Sequence, residues 1–220
     1  TRDTGVEPEV YFYEPPQGTE IRPPGDDPRE MTVHDGWGRS TSFSLDREGF
    51  ALREFRSPFQ QWDDDAAVHE QFYGEAVEFV KREVGAKRVI IFDHTIRAKS
   101  NAKQQTSEHT TSRRAPVRIV HCDYTPNSGP LRVRQLLPGE AGELLKHRVA
   151  FYNVWKPLRH TVEELPLAMC DVTSSTDEDF ITMKLRYRDR DGEIFVLRHS
   201  PRHRWWYSPR MTRDQAILLK

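Results

Sequence analysis

Cysteine is nearly absent from this chain: two residues in 220, Cys122 and Cys170, neither with a second cysteine nearby. That excludes a disulfide framework and makes a structural zinc site a poor candidate. Both thiols sit in apolar stretches and are expected to be buried and reduced. No run of about twenty apolar residues occurs, so no membrane-spanning helix is expected. The first residues also lack the basic-then-apolar pattern of a secretory signal. The formal net charge of −1 gives neither a nucleic acid nor an anionic membrane surface anything to attract. There is no internal repeat. No strand pattern runs into the glycine-rich turn that would cradle S-adenosylmethionine, which weighs against a methyltransferase. The expectation is a cytoplasmic protein with no nucleic-acid or membrane partner.

What is present is concentrated. Apolar residues make up 36% and charged residues 30%, with a mean hydropathy of −0.78. The apolar residues fall into runs, which points to folded segments separated by polar loops around one core, residues 1–220 forming a single domain. Residues 1–35 are rich in proline and charge and read as an extended arm, anchored by Val10–Tyr13. Residues 36–62 carry aromatic anchors (Trp37, Phe43, Phe50, Phe55, Phe59, Trp62) in a meander or a packed loop. From Asp63 to Gly85 the pattern is helical: aspartates open it, Val68, Phe72, Ala76, Phe79, Val80 and Val84 recur at three and four, and a glycine closes it.

Arg88–Arg97 then reads as a central buried strand with a polar end, and 98–115 as a mobile loop. After a turn at 124–129 comes a short helix over Gly139–His147. Strands follow at Val149–Lys156 and Leu165–Asp171, with a hairpin of Ile181–Tyr187 and Glu193–His199 across 189–192. His203–Tyr207 and Thr212–Lys220 complete the chain. The tally is mainly β with helical support (α+β), compatible with a sandwich or barrel.

The chemistry is best placed in Pro116–Thr125. Strand alternation puts Val117, Ile119, His121 and Asp123 on one face. An imidazole and a carboxylate two residues apart on a rigid strand are how a non-haem Fe(II) oxygenase supplies two of its three protein ligands. The spacing alone equally suits a surface histidine followed by an aspartate that caps the next turn.

Five stretches in order resemble one family: Gly85–Arg97, Pro116–Thr125, Asn153–Pro157, Pro166–Asp171, and His203–Tyr207 with Met211–Lys220. The chain is similar, from about Val10 onward, to the AsaB-like hydroxylase/desaturase family, which includes the CmcJ component of cephamycin 7-alpha-methoxylation. The resemblance implies a double-stranded β-helix (jelly-roll, cupin-like) core. It also implies Fe(II) and 2-oxoglutarate with O₂, and oxidation of an unactivated C–H bond of a small-molecule substrate in secondary metabolism. It places the family's His-x-Asp on His121 and Asp123 and its distal His and Arg-x-Ser beyond the segment matching Ala216–Lys220.

The expectation is therefore that C-terminal strands follow Lys220. A chain ending there would need a homo-oligomer or another partner to cover the edge. In-chain candidates for the third ligand are His203 or His199, with Arg213 or Arg210 as the carboxylate anchor. Asn153, Trp155 and Arg97 are candidate substrate contacts, against a core role for Trp155 and a structural ion pair for Arg97. A non-catalytic binding or scaffold relative, a methyltransferase-associated component and a metal hydrolase are the competing readings.

Overall fold

In the computed structural model, which describes residues 1–103 and 112–220, short strands alternate with one long helix. In chain order they are β1 (Glu9–Tyr11), β2 (Val33–Asp35), β3 (Phe50–Glu54), α1 (Asp65–Ala67) and α2 (Tyr73–Val84), with a π-helical turn at Val68–Phe72 joining the two helices. Next come β4 (Ile96–Arg97), β5 (Arg113–Arg114), β6 (His121–Cys122), α3 (Ser128–Leu136) and α4 (Ala141–Leu144). The remainder is β7 (Asn153–Trp155), β8 (Ala168–Cys170), β9 (Phe180–Arg186), β10 (Asp191–Leu197), β11 (Trp205–Tyr207) and β12 (Gln215–Leu219).

The helix forms for the reasons its sequence suggests. Asp64 accepts from the backbone N–H groups of Ala66 and Ala67, satisfying two donors the first turn leaves free. Gly85 ends it at φ 64°, a left-handed position that costs glycine nothing. Ala76, Phe79 and Val80 make its buried stripe.

That stripe packs on a three-stranded sheet ordered β3-β12-β7. Strand alternation divides β12 between two cores. Ala216 and Leu218 join Phe55 and the α2 stripe, while Ile217 and Leu219 pack with Phe50, Leu52, Met169, Trp206 and Met211 on the other side. A second sheet, β2-β11-β8, brings Trp206 and Met169 to that second core. The third sheet, β1-β9-β10-β6, carries the His-x-Asp strand on its edge, through Phe195↔Cys122 and Val196↔His121. Its own core is Met183, Ile194 and Val196.

Several expectations meet the structure directly. The β9–β10 hairpin pairs from Leu197↔Phe180 to Asp191↔Arg186, as the pattern suggests. The arm is stitched in as two edge strands, β1 parallel to β9 and β2 parallel to β11. Ends of the expected loop are ordered, as a 3-10 turn at Lys99–Lys103 and as β5, while its centre, 104–111, lies outside the described residues.

The strand expected over Pro116–Thr125 is confined to His121–Cys122, with Asp123 in the bend just beyond it. Three more expectations need correcting. Arg88–Arg97 is not a central buried strand: only Ile96 and Arg97 pair, and Ile90 and Phe92 are 41% and 40% exposed. The apolar run made it look buried on both faces, whereas only Val89 and Ile91 reach the α2 core. Secondly, 128–136 is a helix rather than part of a turn. Thirdly, Cys122 is exposed, because it faces outward from an edge strand. As for the last strand, β12 is not an open edge: it is flanked on both sides, and Ala216, Ile217 and Leu218 are fully buried.

Candidate functional site

Two neighbours fix the strand that bears His121. Edge pairing with β10 holds His121 and Cys122, and the chain just beyond Asp123 is gripped by the same strand. Glu193 accepts from the Thr125 hydroxyl, and the Glu193 carbonyl accepts from Ser128 Oγ at 2.7 Å. Thr125 Oγ1 in turn accepts from the N–H groups of Asn127 and Ser128, turning the chain into α3. Lys184 pairs with the same Glu193 carboxylate, and these bonds outweigh its burial to hold the carboxyl below the usual range.

Within this frame His121 and Asp123 converge. His121 Nε2 lies 3.3 Å from Asp123 Oδ1. The other ring nitrogen, Nδ1, donates to the Ile119 carbonyl at 2.9 Å, which orients the ring and turns Nε2 toward the carboxylate. Asn153, at the start of β7, donates from Nδ2 to Asp123 Oδ2 at 2.6 Å. The side chains remain 28% and 45% exposed, so the pair is reachable from solvent. The hydrogen bond to Asp123 raises the His121 pKa against its burial. Burial pushes the Asp123 carboxyl up, but the bonds from His121 and Asn153 with the charges of His121 and Arg97 carry it below the ordinary value.

Arg97 stands on the flank. Its Nη1 donates to the Ala115 carbonyl at 2.9 Å, and its charge is felt by both His121 and Asp123. Its own pKa is lowered, by burial first and then by Arg114, its partner across the β4–β5 ladder.

The structure thus brings together His121, Asp123, Asn153 and Arg97. The other sequence candidates are engaged elsewhere. Trp155 packs against the Phe50, Leu52 and Ile217 core, which favours its core reading. His203 is buried, with Nε2 3.3 Å from Asp179 Oδ2, on a carboxylate that Arg202 also approaches. His199 is half-buried. Arg213 donates to the Ser57 carbonyl at 3.2 Å, and Arg210 rims a shallow cleft with Val162, Pro166 and Tyr207. Asp171 caps the turn at Val172–Ser174 and binds Arg204. Among the described residues no group of three His, Cys, Asp or Glu side chains is arranged to hold a metal.

Sequence reasoning missed two features beside the pair. One is the Glu193 grip, a contact across 68 residues that no local spacing signals. The other is an aromatic wall: Tyr124 and Phe151 stack with centroids 4.0 Å apart, and Phe92 meets Phe151 edge-on at 6.0 Å. Its signal was present in Tyr124 following Asp123 and in Phe151 standing one strand repeat before Asn153.

The donor set suits a hard divalent cation in part. An anionic carboxylate held by Asn153 and an imidazole nitrogen with a fixed orientation are two of the three ligands of a facial site, and a cation would replace the proton between them.

Comparison with known proteins gives a consistent picture. A family model described as Oxidoreductase/YMDC permease-like domain matches residues 1–220. Among the described residues no helix is long and apolar enough to cross a membrane. The hydroxylase/desaturase efuI of Hormonema carpetanum is 30% identical over 210 residues, covering 86% of this chain and 70% of its own. The alpha-ketoglutarate-dependent dioxygenase phiK of Fungal sp. (strain ATCC 74256) is 32% identical, covering 82% of this chain and 66% of its own. The Fe(II)/2-oxoglutarate-dependent dioxygenase nvfI of Aspergillus novofumigatus is 29% identical, covering 99% and 79%. A solved variant of the iron and alpha-ketoglutarate-dependent endoperoxidase NvfI matches with a TM-score of 0.87 at 26% identity, over 98% of this chain and 77% of that one. This chain therefore spans about two-thirds to four-fifths of the length of these relatives.

Proposed function

The chain belongs to the oxidoreductase family that matches it along its whole length, with hydroxylase/desaturase relatives, and on that premise we propose that it is part of a non-haem Fe(II)/2-oxoglutarate-dependent oxygenase acting on a small molecule. The observation that carries the reading is the convergence of His121 Nε2 and Asp123 Oδ1, each braced from behind. These two residues would hold the iron. Fe(II) bound there, with 2-oxoglutarate and O₂, would supply the oxidation of an unactivated C–H bond.

The chain's own residues have narrower tasks. The Ile119 carbonyl holds the Nδ1–H of His121, so that Nε2 is turned toward Asp123, where a cation would take the place of its proton. Asn153 occupies one carboxylate oxygen of Asp123 and leaves the other directed at the imidazole. Glu193 and Thr125 hold the backbone on which Asp123 sits. The resemblance implies, besides these two residues, a third ligand and an anchor for the 2-oxoglutarate carboxylate.

The test is an anaerobic titration with Fe(II) and 2-oxoglutarate, followed by the weak visible metal-to-ligand charge-transfer band. A band that disappears in His121→Ala and Asp123→Ala supports the assignment. A band of equal strength in both variants refutes it.

A further inference from the structure

The aromatic wall beside Asp123 is partly open to solvent, with Tyr124 and Phe151 half-buried and Phe92 at its exposed end. Phe92 is 40% exposed, and Ile90 and Val149 beside the same segments are 41% and 43% exposed. The Arg132 guanidinium lies 5.2 Å above the Phe92 ring. Wall and ligand pair are contiguous through two short links: Tyr124 follows Asp123 in the chain, and Phe151 stands two residues before Asn153, whose amide holds Asp123. An apolar patch joined to convergent polar groups is the usual signature of a small-molecule site.

Arg97 lies close enough to the pair for its charge to act on both His121 and Asp123. Only one of its five N–H donors has a partner among the described residues, the Ala115 carbonyl. Asp123 is already committed to His121 and Asn153. Arg97 therefore keeps a cationic fork suited to a bidentate oxyanion.

We propose that this face takes a substrate with an apolar ring system at one end and a single carboxylate or phenolate at the other, the rings against Phe92, Tyr124 and Phe151 and the anion on Arg97. The word substrate rests on the oxygenase reading; the binding itself needs no metal. Ring stacking supplies affinity that tolerates variation in the ring system, and Arg97 fixes which end of the molecule comes to His121 and Asp123.

The experiment is metal-free fluorescence titration of the 220-residue chain with 1-pyrenebutyrate and with 1-pyrenebutanol, which share rings and chain and differ in charge. The butyrate is expected to bind about tenfold more tightly than the alcohol, the effect of one charge-assisted hydrogen-bonded pair. Arg97→Gln removes that preference, Arg97→Lys keeps part of it, and Phe92→Ser or Phe151→Ser weakens both ligands alike. Binding of neither ligand, equal binding of both, or a preference that survives Arg97→Gln overturns the proposal. Adding 2-oxoglutarate without metal should leave pyrenebutyrate bound. Its displacement would give Arg97 to the co-substrate and overturn the proposal too. Because no metal is present, these outcomes are separate from the success or failure of the charge-transfer titration.

Discussion

Two phenylalanines, Phe79 in a helical stripe and Phe92 in an apolar run, both read as buried in the sequence, and the structure gives them opposite weights. Phe79 is 1% exposed, packs with Ala76, Val80, Ala216 and Leu218, and stacks on Phe55 with centroids 4.2 Å apart and rings 3° from parallel. Truncating such a ring to alanine costs about 3–5 kcal/mol in buried area and cavity. The stacked pair adds a further ~0.5–1.5 kcal/mol, so the upper half of that range is expected. For a chain of this size each kcal/mol moves the melting temperature by about 2–4 °C, which gives a fall of roughly 8–20 °C for Phe79→Ala. Phe92 is 40% exposed and touches Phe151 and Arg132 at the surface. Its truncation should cost no more than about 1 kcal/mol. Urea denaturation followed by far-UV circular dichroism, with calorimetry as a second probe, measures both. A Phe92→Ala loss equal to that of Phe79→Ala would refute the placement of 88–95 at the surface and restore a buried strand there.

Other outcomes follow from single contacts. Glu193→Ala removes the acceptor of Thr125 and the partner of Lys184 together, and should cost about 1–3 kcal/mol in the same denaturation assay. A loss near zero would mean that β10 does not hold the loop after Asp123. The Asp179 carboxyl is held below the usual range, chiefly by the Thr176 backbone N–H and also by His203, against its burial. A carboxylate with a lowered folded pKa stabilises fully above its unfolded value and loses that contribution as pH falls through the folded one. The stability gap between the native chain and Asp179→Asn should accordingly narrow below about pH 4, and a gap that widens with acid would contradict the assignment. The two thiols should separate in an iodoacetamide time course read by mass spectrometry. Burial raises both thiols, that of Cys170 up to about 11, but Cys122 is the exposed one of the two, so Cys122 should label first.

The parts legible in the sequence are those set by local pattern. The α2 stripe, its Asp64 cap and Gly85 stop, and the β9–β10 hairpin each follow from residues a few positions apart. His121 and Asp123 were singled out on a two-residue period over Pro116–Thr125, but the strand there is only His121–Cys122, and their approach comes from the bend at Asp123 and the bond from Asn153. What was not legible depends on partners remote in sequence. The run Val89–Phe92 has the composition of a buried strand, yet only half of it meets a core, because the helix covers one face alone. His203 looked like a ligand candidate among aromatic residues, and nothing in its neighbours announces that Asp179 holds its Nε2. The arginines near it repeat the lesson, since Arg202 and Arg204 face Asp179 and Asp171 from more than twenty residues away. Ser128–Leu136 was missed because a Ser-Gly-Pro opening reads as a turn, although proline is well tolerated in a first helical turn.

The most direct test of the central claim is metal content. The purified full-length protein and its His121→Ala and Asp123→Ala variants would be loaded with Fe(II) anaerobically in the presence of 2-oxoglutarate, desalted, and measured for iron by mass spectrometry, with circular dichroism confirming an unchanged fold. The account expects about one iron per native full-length protein and, in each variant, a loss of at least about tenfold in retained metal, since removing one of a small set of ligands has that scale of effect. Equal iron in the native chain and both variants would contradict it.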